Sequence, residues 1–113
     1  MEASMSAAHY KLNNLTAIVD NNNLQQTGSN DEIMLSRNLA DKWRSFNWDV
    51  KEIDGHDIGQ ILETFNQETE KPKLILAKTI KGKGFSFSEN NNSWHHAIMT
   101  KSQYDLALKE LDK

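Results

Sequence analysis

The chain has 113 residues, of which 37% are hydrophobic and 26% charged, so it has room for one small domain with a single core. A formal net charge of -3, with its lysines and arginines scattered, excludes a basic surface for nucleic acid or anionic membranes. The absence of cysteine excludes disulfides and thiol chemistry, and no apolar run approaches the roughly 20 residues that span a bilayer. The N-terminus lacks a signal-peptide pattern, so we expect a soluble chain in the cytoplasm, with no membrane partner.

The first two predicted elements are a helix and a strand. Residues at helical spacing predict a helix over residues 2–12 that begins without a capping side chain: Met5, Ala8, His9 and Leu12. The apolar run from Leu15 to Val19 predicts a short buried strand, which stops at Asp20-Asn21-Asn22-Asn23-Leu24. Ligands commonly bind at the carboxyl ends of parallel strands, and amide or carbonyl oxygens there can bind Mg²⁺. A polar turn without a ligand is the simpler interpretation of this composition alone.

A second helix and a second strand are predicted next. Ser29-Asn30-Asp31-Glu32 predicts a helix start, because capping side chains are followed by acids that the helix dipole favours. An apolar stripe for packing on a sheet continues this helix: Leu35, Leu39, Trp43 and Phe46. The segment from Trp48 to Ile53 predicts a strand that ends in the turn Asp54-Gly55-His56-Asp57. A histidine in such a turn is more often structural or solvated than catalytic.

The third helix and strand complete an alternating pattern. A capping box of Asp57 and Gln60 predicts the helix start. Its buried face should consist of four apolar residues: Ile58, Ile61, Leu62 and Phe65. After the break at Lys71-Pro72-Lys73, the apolar run from Leu74 to Ile80 predicts a strand of a parallel sheet covered on both faces. We therefore predict an α/β fold, a partial parallel three-stranded sheet with flanking helices.

Two further segments contain residues that can bind ligands. Lys81-Gly82-Lys83-Gly84 follows the third strand, where its lysines can bind an anion such as a diphosphate, although similar repeats also form ordinary surface turns. Trp94-His95-His96 has no helical histidine pair and no cysteine, so a zinc site is not expected. A capping box of Thr100 and Gln103 opens a last helix, which should dock through one side: Tyr104, Ala107, Leu108 and Leu111.

Four landmarks, taken in order, resemble the transketolase family: Asp20 to Leu24, the Trp43/Phe46/Trp48 cluster before Asp54-Gly55-His56-Asp57, Thr79 to Gly84, and Ser93-Trp94-His95. Nearly the whole chain is similar to the C-terminal half of the N-terminal, thiamine diphosphate-binding subunit of the split bacterial transketolases. The resemblance implies thiamine diphosphate and a divalent cation, Mg²⁺ or Ca²⁺, as cofactors. It also implies transfer of a two-carbon ketol unit between sugar phosphates.

The resemblance further implies roles for single residues. Asn22 and the backbone carbonyl of Leu24 match metal ligands of the cofactor site. Lys81 and His95 match positions that face the cofactor diphosphate and the substrate, which makes His95 the catalytic candidate. His96 stands where the family usually has glycine. Residues 1–113 would form a partial domain without the upstream Gly-Asp-Gly, whose aspartate is a metal ligand of the family, and without the glutamate that activates the cofactor.

Two functions are compatible with this sequence. One is part of an enzyme that is completed by other chains, such as a pyrimidine-binding transketolase subunit. The other is a non-catalytic truncated remnant or protein-assembly module with the same fold. A small parallel sheet with an open edge favours association with a partner or with itself. Because a charged metal ligand is missing, we expect the lone chain to bind thiamine diphosphate weakly or not at all.

Overall fold

A computed structural model describes residues 1–22, 24–25, 28–29 and 39–113 of the chain. Its helices are α1 (Glu2–His9), α2 (Leu39–Ser45), α3 (Ile58–Asn66) and α4 (Lys101–Leu111), with a 3-10 helix at Asn92–His95. Its strands are β1 (Thr16–Asn21), β2 (Leu24–Gln25), β3 (Gly28–Ser29), β4 (Asp49–Asp54) and β5 (Lys73–Lys78). Within these ranges no helix has the length and apolar character needed to cross a membrane. The interpretations of Asn23, Asn30 to Glu32 and Leu35 lie outside the described residues.

Three parallel strands form the main sheet in the order β1-β5-β4, which confirms the predicted fold class. Thr16 and Asp49 both pair with Lys73 at one edge of the sheet, and Asn21 and Asp54 both pair with Lys78 at the other. The central strand is the most buried, as expected for a nearly continuous apolar run. The three carboxyl ends therefore lie side by side. β2 and β3 form a separate short antiparallel pair.

The core lies between one face of this sheet and helices α1 and α2. It contains Ala7, Trp48 and Leu74, with partly buried apolar residues packed against them: Ala8, Ala17, Val19, Trp43, Phe46 and Val50. The rings of Trp43 and Trp48 meet edge to face, with centroids 4.8 Å apart. The indole N–H of Trp48 donates to the carbonyl of Ser4 at 2.8 Å. This buried hydrogen bond satisfies the indole and holds α1 against the core.

The first helix and strand differ from the sequence-based expectation. α1 ends at His9 and not at Leu12, because Lys11 adopts a left-handed conformation with φ of 51°. The helix buries Ser4 and Ala7, whereas Met5 is exposed. β1 was predicted to be buried, and this is wrong. Among the described strands it pairs with β5 alone, and its residues alternate between exposed and half-buried, with Ile18 exposed.

The predicted buried face of α3 is also wrong. Ile58, Leu62 and Phe65 are exposed, and Ile61 is half-buried. The helix contacts β4 of the main sheet, and this contact leaves three of the four apolar side chains exposed. Asp57 does cap the helix, accepting from the N–H of Gln60 at 3.1 Å.

The end of α3 is joined to β5 by a buried lysine. Lys73 donates from its Nζ to the carbonyls of three residues at this helix end: Thr64 at 2.7 Å, Phe65 at 3.4 Å and Gln67 at 2.5 Å. A cation at this end of a helix is favoured by the helix dipole, and here it also satisfies carbonyls that have no partner within the helix.

The last helix follows its predicted start and only part of its predicted packing. The capping box of Thr100 and Gln103 is confirmed, with both reciprocal hydrogen bonds present. Ala107 is buried as predicted. The other residues of the predicted docking side are exposed: Tyr104, Leu108 and Leu111.

Candidate functional site

A cleft lined by both polar and apolar residues opens along the carboxyl ends of the main sheet. Its volume is about 560 Å³, within the range of small-molecule sites. All three strands contribute to it, and its polar lining includes Asn21, Asp54, His56, Lys78, Thr79 and Lys83. In open α/β sheets this edge is the usual place for a ligand.

Asn22 is positioned by the ladder between β1 and β5. The N–H of Thr79 donates to the carbonyl of Asn21 at 3.3 Å, which continues the ladder one step past the strands. The hydroxyl of Thr79 also donates to the carboxylate of Asp20. Asn22 is the next residue after Asn21 and is half-buried. It therefore lies at the carboxyl end of β1, next to the carboxyl end of β5, from which the chain continues to Lys81. The backbone of Leu24 begins β2, two residues further along the chain.

Lys81 and His95 are in direct contact. The Nζ of Lys81 lies 3.3 Å from Nδ1 of His95. The carbonyl of Lys81 accepts from the N–H of Asn90 at 2.9 Å, which closes the loop between the two residues. His95 ends the 3-10 helix, whose N-cap Asn91 accepts from the N–H of Ser93. An ammonium group only donates, so Nδ1 of His95 accepts and its proton is on Nε2.

The loop after Lys81 is fixed by its own backbone and by α4. Gly82 has φ of 70°, and a Cβ there would collide with the carbonyl oxygen of Ser88. The buried hydroxyl of Ser88 donates back to the carbonyl of Gly82 at 2.8 Å. From α4, the carboxylate of Glu110 accepts from the hydroxyl of Ser86 at 2.5 Å and from its N–H at 2.9 Å. These hydrogen bonds, the hydroxyl first, lower the pKa of Glu110.

His56 contacts the same segment from the other side, which sequence reasoning missed. Its Nε2 accepts from the N–H of Ile80, the residue before Lys81, at 2.8 Å. The only signal in the sequence was a glycine and a histidine together in the turn between a strand and a capped helix. Such a signal does not identify the partner of the histidine.

The structure therefore joins two of the four proposed site residues directly and places a third at the same edge. Lys81 contacts His95, and the β1–β5 ladder brings Asn22 to the edge from which Lys81 extends. Leu24 lies in β2, and only its secondary structure is described. The roles of Asn22, Leu24, Lys81 and His95 toward a cofactor stay predictions.

The fold and this edge define a class of protein: an α/β domain with a cleft at the carboxyl ends of a parallel sheet, where such domains usually bind their ligands. A family model described as the transketolase thiamine diphosphate binding domain matches residues 1–111. The chain therefore belongs to the transketolase family, as a thiamine diphosphate-binding domain.

Individual relatives agree with this assignment. An apulose-4-phosphate transketolase subunit of Phocaeicola vulgatus is 40% identical over 99% of this chain, which corresponds to 41% of that protein. The 6-deoxy-6-sulfo-D-fructose transketolase subunit SqwG of Clostridium sp. is 41% identical over 99% of this chain and 42% of that protein. The crystal structure of transketolase from Campylobacter jejuni matches with a TM-score of 0.90 and 28% identity, over 98% of this chain and 18% of that one. The chain thus spans about two fifths of the length of the two subunit relatives.

Proposed function

We propose that this chain is part of a transketolase that transfers a two-carbon ketol unit between sugar phosphates. The observation that carries the proposal is the contact of Lys81 with His95 at the sheet edge to which Asn22 also leads. Thiamine diphosphate, when bound, supplies the thiazolium that stabilises a carbanion, and the protein's task is to hold and orient it.

The cationic residues at this edge fit the diphosphate. Lys78 and Lys83 line the cleft, and Lys81 lies between these two residues in the sequence. Charge-assisted hydrogen bonds from lysine to phosphate oxygens are among the strongest polar contacts in proteins. Lys81 would bind the diphosphate while its contact with His95 limits the positions that its long side chain can take.

The metal ligands in this chain form a partial set. Asn22 would give an amide oxygen and Leu24 a backbone carbonyl, both suited to Mg²⁺ or Ca²⁺. In residues 1–22 and 39–113, no group of three or more His, Cys, Asp or Glu side chains could hold a metal ion. We propose that the charged ligand comes from elsewhere in the assembly.

His95 is suited to contact the substrate. Its Nδ1 faces the Lys81 ammonium, so its Nε2–H is the group that can donate to a hydroxyl or phosphate oxygen of a bound sugar. The side chain is exposed, which gives a ligand access to it. We assign His95 the role of holding a proton next to the reacting sugar.

A partner chain would complete the site. The two subunit relatives are named as subunits, and this chain corresponds to about two fifths of each. A pyrimidine-binding transketolase subunit is the partner that we propose. The exposed apolar surface of α3 also suits the alternative, a non-catalytic remnant or assembly module, because large exposed apolar patches mark protein interfaces.

Reconstitution with a pyrimidine-binding subunit tests the enzyme function. We expect Asn22→Ala to lower ketol transfer by about 100-fold or more, because a metal ligand is lost. Asn14→Ala is the matched control, since Asn14 is an exposed asparagine before the amino end of β1, and it should leave turnover unchanged. Equal turnover of the two variants would refute the metal role. Association without any turnover would favour the assembly module.

Calorimetry on the lone chain tests whether its ligand set is incomplete. We expect titration with Mg²⁺ and thiamine diphosphate to give little or no heat of binding, because the two metal ligands proposed for this chain, Asn22 and Leu24, are both neutral. Micromolar affinity would show that the chain forms a complete cofactor site.

A further inference from the structure

His56 lies in the turn between β4 and α3. It lines the cleft, but the function proposed above assigns it no role. The ladder of β5 supplies partners as far as Thr79, whose N–H donates to the carbonyl of Asn21. For the next residue, Ile80, the partner of the N–H is the ring Nε2 of His56, at 2.8 Å. At Ile80, the last residue before Lys81, the side chain of His56 thus provides the hydrogen-bond acceptor that a neighbouring strand would otherwise provide.

The turn that presents His56 is itself well fixed. The N–H of His56 donates to the carboxylate of Asp54 at 2.9 Å. The N–H of Gly55 donates to the carbonyl of Lys78 at 2.8 Å, which ties the turn to the end of β5. A Cβ on Gly55 would lie 2.5 Å from Cγ2 of Thr79, so only glycine allows this close approach. These contacts fix the backbone of the turn that carries the imidazole of His56.

We propose that His56 is a positioning residue that sets the direction in which Lys81 leaves the sheet. The segment Thr79–Ile80 is held on one side by the carboxylate of Asp20, through the Thr79 hydroxyl, and on the other by the ring of His56. Lys81 follows at once and reaches His95. The proposal rests on the function proposed for Lys81, which is to bind the diphosphate, because the position of its ammonium matters only if it binds that group.

The hydrogen bond also determines the tautomer of His56. A backbone N–H only donates, so Nε2 must be unprotonated, and the neutral ring carries its proton on Nδ1. This differs from His95, where Nδ1 faces the Lys81 ammonium and the proton is on Nε2. The two histidines should therefore give different patterns in nitrogen NMR spectra.

The first experiment records long-range proton–nitrogen correlations of the histidine rings in the full chain at neutral pH. We expect the pattern of a ring protonated on Nδ1 for His56, and slow hydrogen exchange of the Ile80 amide. A ring protonated on Nε2, or rapid exchange at Ile80, would overturn the proposal. This measurement needs neither a cofactor nor a partner chain.

The second experiment compares two variants of the turn. His56→Leu removes the acceptor, whereas His56→Gln keeps an acceptor oxygen at a similar reach. We expect His56→Leu to speed exchange of the Ile80 amide by about tenfold or more, and to shift the ring signals of His95, with most of the effect restored in His56→Gln. His9→Leu, on α1, is the control and should leave His95 unchanged.

The results of these experiments distinguish a positioning role of His56 from a role in general stability, and test it independently of the proposed enzyme function. Unchanged His95 signals in a folded His56→Leu variant would overturn the proposal. If His56→Leu does not fold, the wild-type tautomer and His56→Gln still decide it. In an active assembly, we expect His56→Leu to raise the KM for thiamine diphosphate about tenfold and His56→Gln to stay near wild type. An inactive wild-type assembly would refute the proposed function, while the NMR results would still test the positioning.

Discussion

The ammonium of Lys81 lies 3.3 Å from Nδ1 of His95, so the two side chains proposed to face the ligand are coupled to each other. Residues in contact act as a unit, and their substitutions are not additive. In the assembled enzyme we expect Lys81→Met and His95→Ala each to weaken thiamine diphosphate binding by about tenfold, and the double variant to be little worse. Titration of activity against cofactor concentration measures all three affinities.

Lys71→Met is the matched control for this cycle. Lys71 is exposed just before the amino end of β5, at the opposite edge of the sheet. Its removal should leave cofactor affinity unchanged. If the losses in the double variant multiply, the two side chains act independently and their contact has no role in binding.

Lys73 should contribute to stability far more than a surface lysine does. It is buried, and its ammonium donates to three carbonyls at the end of α3. Lys73→Met would leave these carbonyls without a charged donor, so we expect the free energy of unfolding to fall by about 1–3 kcal/mol. Urea denaturation measures the change, with Lys71→Met expected within about 0.5 kcal/mol of wild type. Equal effects would mean that the Lys73 contacts are not formed in solution.

Gly55 should tolerate alanine only if Thr79 is also changed. The new methyl would meet Cγ2 of Thr79 at 2.5 Å, and overpacking of this kind costs about 1–3 kcal/mol. Thr79→Ser removes that carbon and keeps the hydroxyl that donates to Asp20. We expect the double variant to recover part of the stability that Gly55→Ala loses, as measured by thermal denaturation. Recovery would be absent if the turn and Thr79 were not in contact.

The contact between α4 and the loop after Lys81 should weaken in acid. The pKa of Glu110 is lowered in the folded chain, first by the hydroxyl of Ser86 and then by its N–H. A carboxyl group of this kind stabilises the fold above its unfolded pKa, about 4.3 for glutamate, and the stabilisation is lost as the pH falls through the lower folded value. The Tm of wild type should therefore exceed that of Glu110→Gln at neutral pH, and the two should converge as the pH falls below the ordinary pKa of glutamate.

Glu70→Gln is the control for this pH series. Glu70 is an exposed glutamate in the connection between α3 and β5. Its variant should follow the wild-type Tm at every pH. A difference between wild type and Glu110→Gln that persists in acid would show that the charge of Glu110 is not its cause.

Two leucines at different depths test the burial of α3. Leu74 is completely buried in β5, whereas Leu62 on α3 is 59% exposed. We expect Leu74→Ala to lower the free energy of unfolding by about 2–5 kcal/mol, and Leu62→Ala to lower it by less than about 1 kcal/mol. Denaturation of the dilute chain gives both values. Similar losses would indicate that the apolar face of α3 is covered in solution.

Local patterns predicted the elements well. The apolar run of β5, the strand after Trp48 and the capping box of Thr100 and Gln103 depend on neighbouring residues, and each appears in the structure. The side chains that cover each element come from distant parts of the chain. For this reason the exposure of Ile18 and Leu62 was predicted wrongly.

The candidate site was accessible to sequence reasoning only in part. The resemblance to transketolases singled out Lys81 and His95, and the structure brings them together. It gave no role to His56 or Glu110, whose partners Ile80 and Ser86 are both 24 positions away in sequence. Periodicity and capping rules act over a few residues, so they contain no information about such pairs.

The position of β5 has a consequence for biosynthesis. It is translated after β1 and β4, yet in the described sheet each of these strands pairs with β5 alone. In the described sheet, neither earlier strand can pair with β5 until residues 73–78 have emerged from the ribosome. Such non-local pairing slows folding and leaves a window for aggregation, so chaperones are expected to have their greatest effect on yield during this interval.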